Sequence, residues 1–148
     1  MHINIDDLIN SNSSCCLERK VASENGKRFE INSSDDFTRL RIDNCLISSN
    51  DVEKCDFGFV RHFNEDFYFV ELKGSNIEKA FKQIVSTIDY LNTNLILIPK
   101  NKRLGFIVSS KVPSGGTDIN KLKQNFAKNY GKVLEIKNKC LIYRPEPS

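Results

Sequence analysis

Residues 55–74, CDFGFVRHFNEDFYFVELKG, constrain the fold more than any other stretch of the chain. Two runs of aromatic and β-branched residues, CDFGFVRHF and DFYFVEL, flank the polar triplet NED, which predicts two antiparallel strands. The second run carries Glu71 and Lys73 among apolar neighbours. Side chains alternate across a strand, so these two point to one face about 7 Å apart, together with Phe67 and Phe69. With Asn64 and Glu65 as a two-residue turn, residue 56 falls opposite 73 and residue 58 opposite 71. Asp56 then shares the face of Glu71 and Lys73, and Gly58 leaves room beside the Glu71 carboxylate for something other than a side chain. A slip by one residue would move Asp56 to the other face. Two acids and a lysine between apolar neighbours are costly to bury unless they pair or bind an ion.

The flanking sequence supplies the rest of a layered fold. Downstream, Ser75 and Glu78 stand at capping-box spacing, and Ile77, Phe81, Ile84, Ile88 and Leu91 recur at helical period. LILIP is a short apolar run expected to form a strand buried on both faces. After the basic turn KNKR, LGFIVSS predicts a further strand, and PSGGTD a loop. Asp118 caps a second helix with the inward stripe Ile119, Leu122, Phe126 and Tyr130, and Gly131 suits its C-terminal stop. VLEI and CLIY close the chain as a small hairpin or one bent strand, and the tail RPEPS is expected to fray.

Upstream, MHINIDDLIN predicts a short helix that SNSS ends. Asn25-Gly26 favours a hairpin over residues 17–32 rather than a helix carrying Glu18. FTRLRIDNCLI reads as a strand. The order is that of an α/β protein with a mixed sheet and one crossover over the first main helix.

A chain of 148 residues fits one domain, taken here as 1–148, with a central segment 37–98 and a C-terminal helix and strands over 104–143. It has 39% hydrophobic and 28% charged residues and no apolar run near the roughly 20 residues of a membrane span, so a soluble protein is expected. The start has neither a basic leader nor an apolar core, and a cytoplasmic location follows as the expectation. The five cysteines lack zinc spacing and are expected to be reduced thiols. The net charge of +3 is mild, yet Lys100, Lys102, Arg103, Lys121, Lys123, Lys128, Lys132, Lys137 and Lys139 make the last third basic. That pattern fits a solvated surface or a phosphate-facing patch.

Two carboxylates beside a lysine suit Mg2+ or Mn2+, hard cations that keep several waters and accept phosphate oxygens. The chemistry they imply is phosphodiester hydrolysis without a covalent intermediate. At this point the sequence resembles a family. CDFGFVRHFNEDFYFVELKG is similar to the central signature of the PD-(D/E)xK nuclease superfamily: an Asp beginning one strand, then acid-x-Lys and Gly in the next. The resemblance runs on into SNIEKAFKQIVSTIDYL and implies a restriction-endonuclease-like core, a mixed central β-sheet flanked by helices. It implies that Asp56 and Glu71 bind the metal with help from the Leu72 carbonyl, that Lys73 is the catalytic lysine, and that Gln83 contacts the substrate or the site. RIDNCLISSNDVEKCDF also resembles small uncharacterised bacterial members. Two departures stand out: Cys55 occupies the place where the family often has Pro, and the first-helix acid of many members has only Glu18, Asp6 or Asp7 as candidates here.

The expected substrate is nucleic acid, DNA first, with a homodimer or a partner protein defining the target and no membrane partner. Two alternatives share the fold: a non-catalytic interaction module such as an immunity or defence-system subunit, and a dimeric junction resolvase. Thr87 and Tyr90 share the helix face of Gln83, which also suits an ordinary boundary residue. His62 reads as an exposed structural histidine, and Arg39 and Arg41 as the solvent side of a strand or as phosphate contacts.

Overall fold

The computed structural model describes residues 2–74, 76–111 and 118–148, with the backbone alone for Lys73 and Gly74. Asn4 caps the short helix α1 (Ile5–Ser11), its side chain accepting from Asp7 N–H. A 3₁₀ turn leads to β1 (Cys16–Leu17). Asn25 and Gly26 both take positive φ, 54° and 74°, the geometry of a two-residue hairpin turn. They join β2 (Val21–Glu24) to β3 (Lys27–Ile31), so the expected hairpin forms. β4 (Phe37–Arg41), β5 (Phe57–Arg61) and β6 (Phe67–Gly74) follow, then α2 (Ile77–Asn94), β7 (Arg103–Ser109), α3 (Ile119–Asn129), β8 (Val133–Asn138) and β9 (Cys140–Tyr143).

The strands form two sheets, one of six in the order β1-β4-β5-β6-β7-β8 and one of three in the order β2-β3-β9. In the larger sheet the first three pairings are antiparallel, whereas β6–β7 and β7–β8 are parallel. α2 and α3 make the two parallel links, so there are two crossovers where the sequence announced one.

Alternation distributes β6 between two cores. Phe67 and Phe69 pack with Leu40, Ile42 and Val60 against the α2 stripe of Ile77, Ala80, Phe81, Ile84, Ile88 and Leu91, with Phe126 of α3 alongside. Tyr68, Val70 and Leu72 face the other way and pack with Phe57, Phe59 and Phe106 against Phe29, Ile31 and Leu141 of the small sheet. The Phe29 ring lies 4.8 Å from Phe106 and 5.4 Å from Phe59, centroid to centroid. Each fully buried aromatic here contributes about 1.5–3 kcal/mol relative to exposure. The architecture is thus α/β in three layers: helices, a mixed sheet, and a second small sheet.

Several expectations are corrected. LILIP forms no strand: Ile96 and Ile98 are buried but Leu97 is 63% exposed, because β7 takes the place beside β6 and leaves this segment no ladder to join. Asn76 caps α2, its Oδ1 accepting from Lys79 N–H at 3.0 Å; Ser75, the expected cap, and most of PSGGTD lie outside the described residues. Asp118 caps α3 as expected. Gly131 serves close packing, since a Cβ there would sit 2.4 Å from Phe126 Cε1 and 2.5 Å from the Arg103 carbonyl oxygen.

Of the two forms expected for VLEI and CLIY, the hairpin does not form and the bent strand is nearer the outcome: β8 joins β7, β9 joins β3, and the chain bends from one sheet to the other at Lys139, whose φ is 64°. The tail is docked, with the Glu146 carbonyl accepting from Arg61 Nη2 at 2.7 Å and Ser148 Oγ donating to Asp35 Oδ1 at 3.1 Å. Cys15 and Cys45 form a disulfide, against the expectation of five reduced thiols. The β1–β4 pairing of Cys16 with Leu40 brings the preceding Cys15 beside the turn that follows β4, a proximity that spacing along the chain does not reveal. Cys16, Cys55 and Cys140 are free.

Candidate functional site

The site is built where β5 runs out. The connection between β5 and β6 is longer than a two-residue turn: Arg61 N–H donates to the Asp66 carbonyl, Glu65 N–H returns to the Arg61 carbonyl, and Glu65 takes φ 62°. The ladder therefore pairs Phe57 with Val70 and Val60 with Phe67, two residues away from the expected register. An even displacement preserves parity, so continuing the register beyond the ladder keeps position 56 on the side of position 71. Gly58 faces Phe69 instead of Glu71. Its missing side chain makes room for the Phe67 ring, since a Cβ would lie 2.7 Å from Phe67 Cε1, and the expected space beside the carboxylate is filled by protein.

Past Val70, β6 has no regular β5 residue to pair with. The Asp56 side chain takes over that role: Leu72 N–H donates to Asp56 Oδ2 at 2.8 Å. The Asp56 carbonyl in turn accepts from Ile42 N–H at 3.0 Å and Asp43 N–H at 3.4 Å, so the residue is held from both sides. Asp56 and Glu71 are each 1% exposed, and neither carboxylate is without a partner. Next to them, burial pushes the Cys55 thiol up, and the Glu71 and Asp56 charges push it further, which keeps it protonated.

α2 closes the site from above. Cys55 N–H donates to Thr87 Oγ1 at 2.9 Å, and that hydroxyl donates to the Gln83 carbonyl at 2.7 Å. Gln83 Nε2 stands 3.5 Å from the Lys54 carbonyl, a long contact that nonetheless puts the side chain over the segment entering Asp56. Lys54 Nζ donates to the Ser49 carbonyl at 2.7 Å and lies 3.9 Å from Asp43 Oδ1, stiffening the loop before the site.

Of the residues named from sequence, Asp56 and Glu71 come together, and the Leu72 main chain joins them while its side chain points into the small-sheet core. Lys73 belongs to β6, and its side chain lies outside the described residues. Gln83 reaches the approach to the site. Asp6, Asp7 and Glu18 are exposed, and among the described residues no three His, Cys, Asp or Glu side chains cluster as metal ligands.

The remaining polar candidates have structural partners. Arg39 and Arg41 each lie 5.1 Å from the Phe57 ring, and they bind the Val21 carbonyl and Glu24 of β2, respectively. They fasten the small sheet to the large one. His62 is exposed and shares a 2.7 Å hydrogen bond with Thr38 Oγ1. Sequence reasoning passed over Thr87 as anything more than a neighbour of Gln83, although its position one turn along the same helix face was a readable signal.

Two carboxylates and a main-chain carbonyl are a donor set that fits an ion retaining several waters and sharing phosphate oxygens. Set against protein-family models, curated proteins and solved structures, the chain matches none of them. No helix among the described residues is long and apolar enough to cross a membrane.

Proposed function

We propose that this protein is a metal-dependent nuclease that hydrolyses phosphodiester bonds, with DNA as the first substrate to test. The observation that carries the proposal is the pair Asp56 and Glu71, buried side by side where β5 ends and the edge of β6 is released. The resemblance of residues 55–74 to the PD-(D/E)xK signature supports it. Asp56, Glu71 and the Leu72 carbonyl would hold Mg2+ or Mn2+, which when bound supplies Lewis-acid charge at the phosphate and a more acidic water. Asp56 orients the Leu72 main chain through its N–H. In this reading Lys73 positions or deprotonates the attacking water, and Gln83 steadies the entry segment through the Lys54 carbonyl.

Incubation of the protein with plasmid, linear duplex, single strands and RNA, each with and without Mg2+, tests the reading. Metal-dependent cleavage that disappears in Asp56→Ala and Lys73→Ala is the expected result. Undiminished cleavage by a pure preparation of the double variant overturns it.

One observation favours a second reading. Asp56 Oδ2 already accepts the Leu72 N–H, a structural duty that a non-catalytic interaction module on this architecture would also need. Calorimetry separates the two: the nuclease binds Mg2+ or Mn2+ with heat that Glu71→Gln abolishes, whereas the module shows none.

A further inference from the structure

β6, β7 and β8 run parallel, so their C-terminal ends lie together at the end of the sheet where Glu71 is buried. The register places Glu71, Ile107 and Ile136 in one row across these strands, and Gly74, Ser109 and Asn138 in a later one. At about 4.8 Å per strand step, β8 lies about 10 Å from β6 along each row. Three lysines from separate parts of the chain collect there: Lys111 just past β7, and Lys137 and Lys139 on either side of Asn138.

Ser109 ties them together. It is 1% exposed; its Oγ donates to the Lys111 carbonyl at 2.8 Å and stands 3.4 Å from the Lys137 carbonyl, and its own carbonyl accepts from Lys139 N–H at 2.9 Å. The three lysine main chains are thus fixed around one buried residue, while the lysines themselves are exposed. None of the three makes an ion pair among the described residues.

The other cations of the basic last third are spent on structure. Lys100 donates to the Ala127 carbonyl, Arg103 to the Ile98 and Tyr130 carbonyls, and Lys132 pairs with Asp66. Arg103 opens β7 and Lys132 precedes β8, so both stand at the far end of those strands. Little at the near end opposes the three free lysines. Arg28, whose N–H donates to the Lys139 carbonyl, is matched by Glu30 at 2.8 Å; Glu135 is the one acid on β8, and VPSGGT after Lys111 adds no charge. Exposed, unpaired ammonium groups spread over two strand ends suit a polymer of repeated negative charge better than a single anion.

We infer that Lys111, Lys137 and Lys139 form a track that binds the phosphodiester backbone of a nucleic acid strand and lays it toward Asp56 and Glu71. The inference rests on the reading of those two acids as the hydrolytic site. The separation of about 10 Å corresponds to about three nucleotide steps of 3.4 Å along one strand, so one strand can touch the track and reach the site.

The test is binding of a labelled duplex, DNA in one arm and RNA in the other, by fluorescence anisotropy in chelator over a range of salt concentrations. Each phosphate contact contributes about 0.9 to the slope of log affinity against log salt, so Lys111→Gln/Lys137→Gln/Lys139→Gln should lower that slope by about 2–3 for the duplex that binds more tightly. The control Lys121→Gln/Lys123→Gln/Lys128→Gln removes the same charge from α3 and should leave the slope unchanged. Equal losses from the two triple variants overturn the track, because net charge alone would then explain binding; so does a slope unchanged in the first triple, or no binding to either duplex. The readings fail separately. Lysine-dependent binding without cleavage in Mg2+ supports the track and removes the hydrolysis, whereas Mg2+-dependent cleavage with the same KM in the first triple removes the track alone.

Discussion

The two ends of β6 handle buried charge in different ways. At the C-terminal end, Asp56 and Glu71 are both buried beneath α2, and Asp56 replaces a missing strand by accepting the Leu72 N–H. At the N-terminal end, Arg61 and Asp66 stand across from each other on the opposite face, yet each pairs with a residue from elsewhere, Asp35 and Lys132. The first end brings two acids into the interior side by side in the chain's fold, and the second pairs each charge with one of opposite sign. Burying carboxylates is costly unless each is paired, hydrogen-bonded or bound to an ion. Opposite charges paired off one by one point to stability.

That contrast can be broken in order of expected effect. Asp56→Ala should lower metal-dependent cleavage by about 10²–10³, the range seen when one preorganised electrostatic contact at a reacting centre is removed, whereas Asp66→Asn should leave cleavage unchanged. Comparable losses from both would erase the distinction between the ends. Reduction of the Cys15–Cys45 disulfide, 30 residues apart, should lower stability by about 3–4 kcal/mol from loop-closure entropy, read by urea melts with and without reductant. Because the turn bearing Cys45 follows the Ile42 and Asp43 N–H groups that grip the Asp56 carbonyl, reduction should also loosen the first end selectively, seen as faster amide exchange there.

Arg61→Ala leaves the Asp35 carboxylate without its guanidinium partner and should lower the midpoint of the same melts, a loss confined to the second end. Thr87→Val leaves the Cys55 N–H unpaired above the first end and should cost about 1–2 kcal/mol in the same melts.

The smallest effect is a pH slope. Arg61 beside Asp35 holds that carboxyl below the usual carboxylate range, chiefly through their hydrogen bond. A depressed folded pKa stabilises the native state above the unfolded value of about 3.9 and loses that contribution as pH falls through the lower folded value. Thermal melts between about pH 5 and 2 should therefore show a shallower acid slope in Asp35→Asn than in the unchanged protein.

Much of the architecture was legible because it depends on local geometry. Asn25-Gly26 announces its hairpin through backbone conformations few other residues take, and Asp118 announces its helix through a side-chain cap. The α2 stripe follows from helical period, and all five residues picked out by it are buried. The wrong turn length moved the register by two residues, and an even displacement leaves the parity of β5 on β6 unchanged. LILIP failed for the opposite reason: an apolar run records that it is buried, not which neighbour it meets. Gly58 failed likewise, since the ring that fills its space comes from Phe67 on the next strand.

By itself the sequence determined the alternation of faces along β6, the hairpin at Asn25-Gly26 and the cap of α3 at Asp118. These follow from side-chain alternation and backbone preference, which a chain carries wherever it goes. Tertiary structure alone decided the register of β5 on β6, the choice of β7 over LILIP as the neighbour of β6, the Cys15–Cys45 bond and the pairing of Arg61 with Asp35 instead of Asp66. Each of those is a competition between partners distant in the chain, settled only when the layers close and every buried polar group must find its mate.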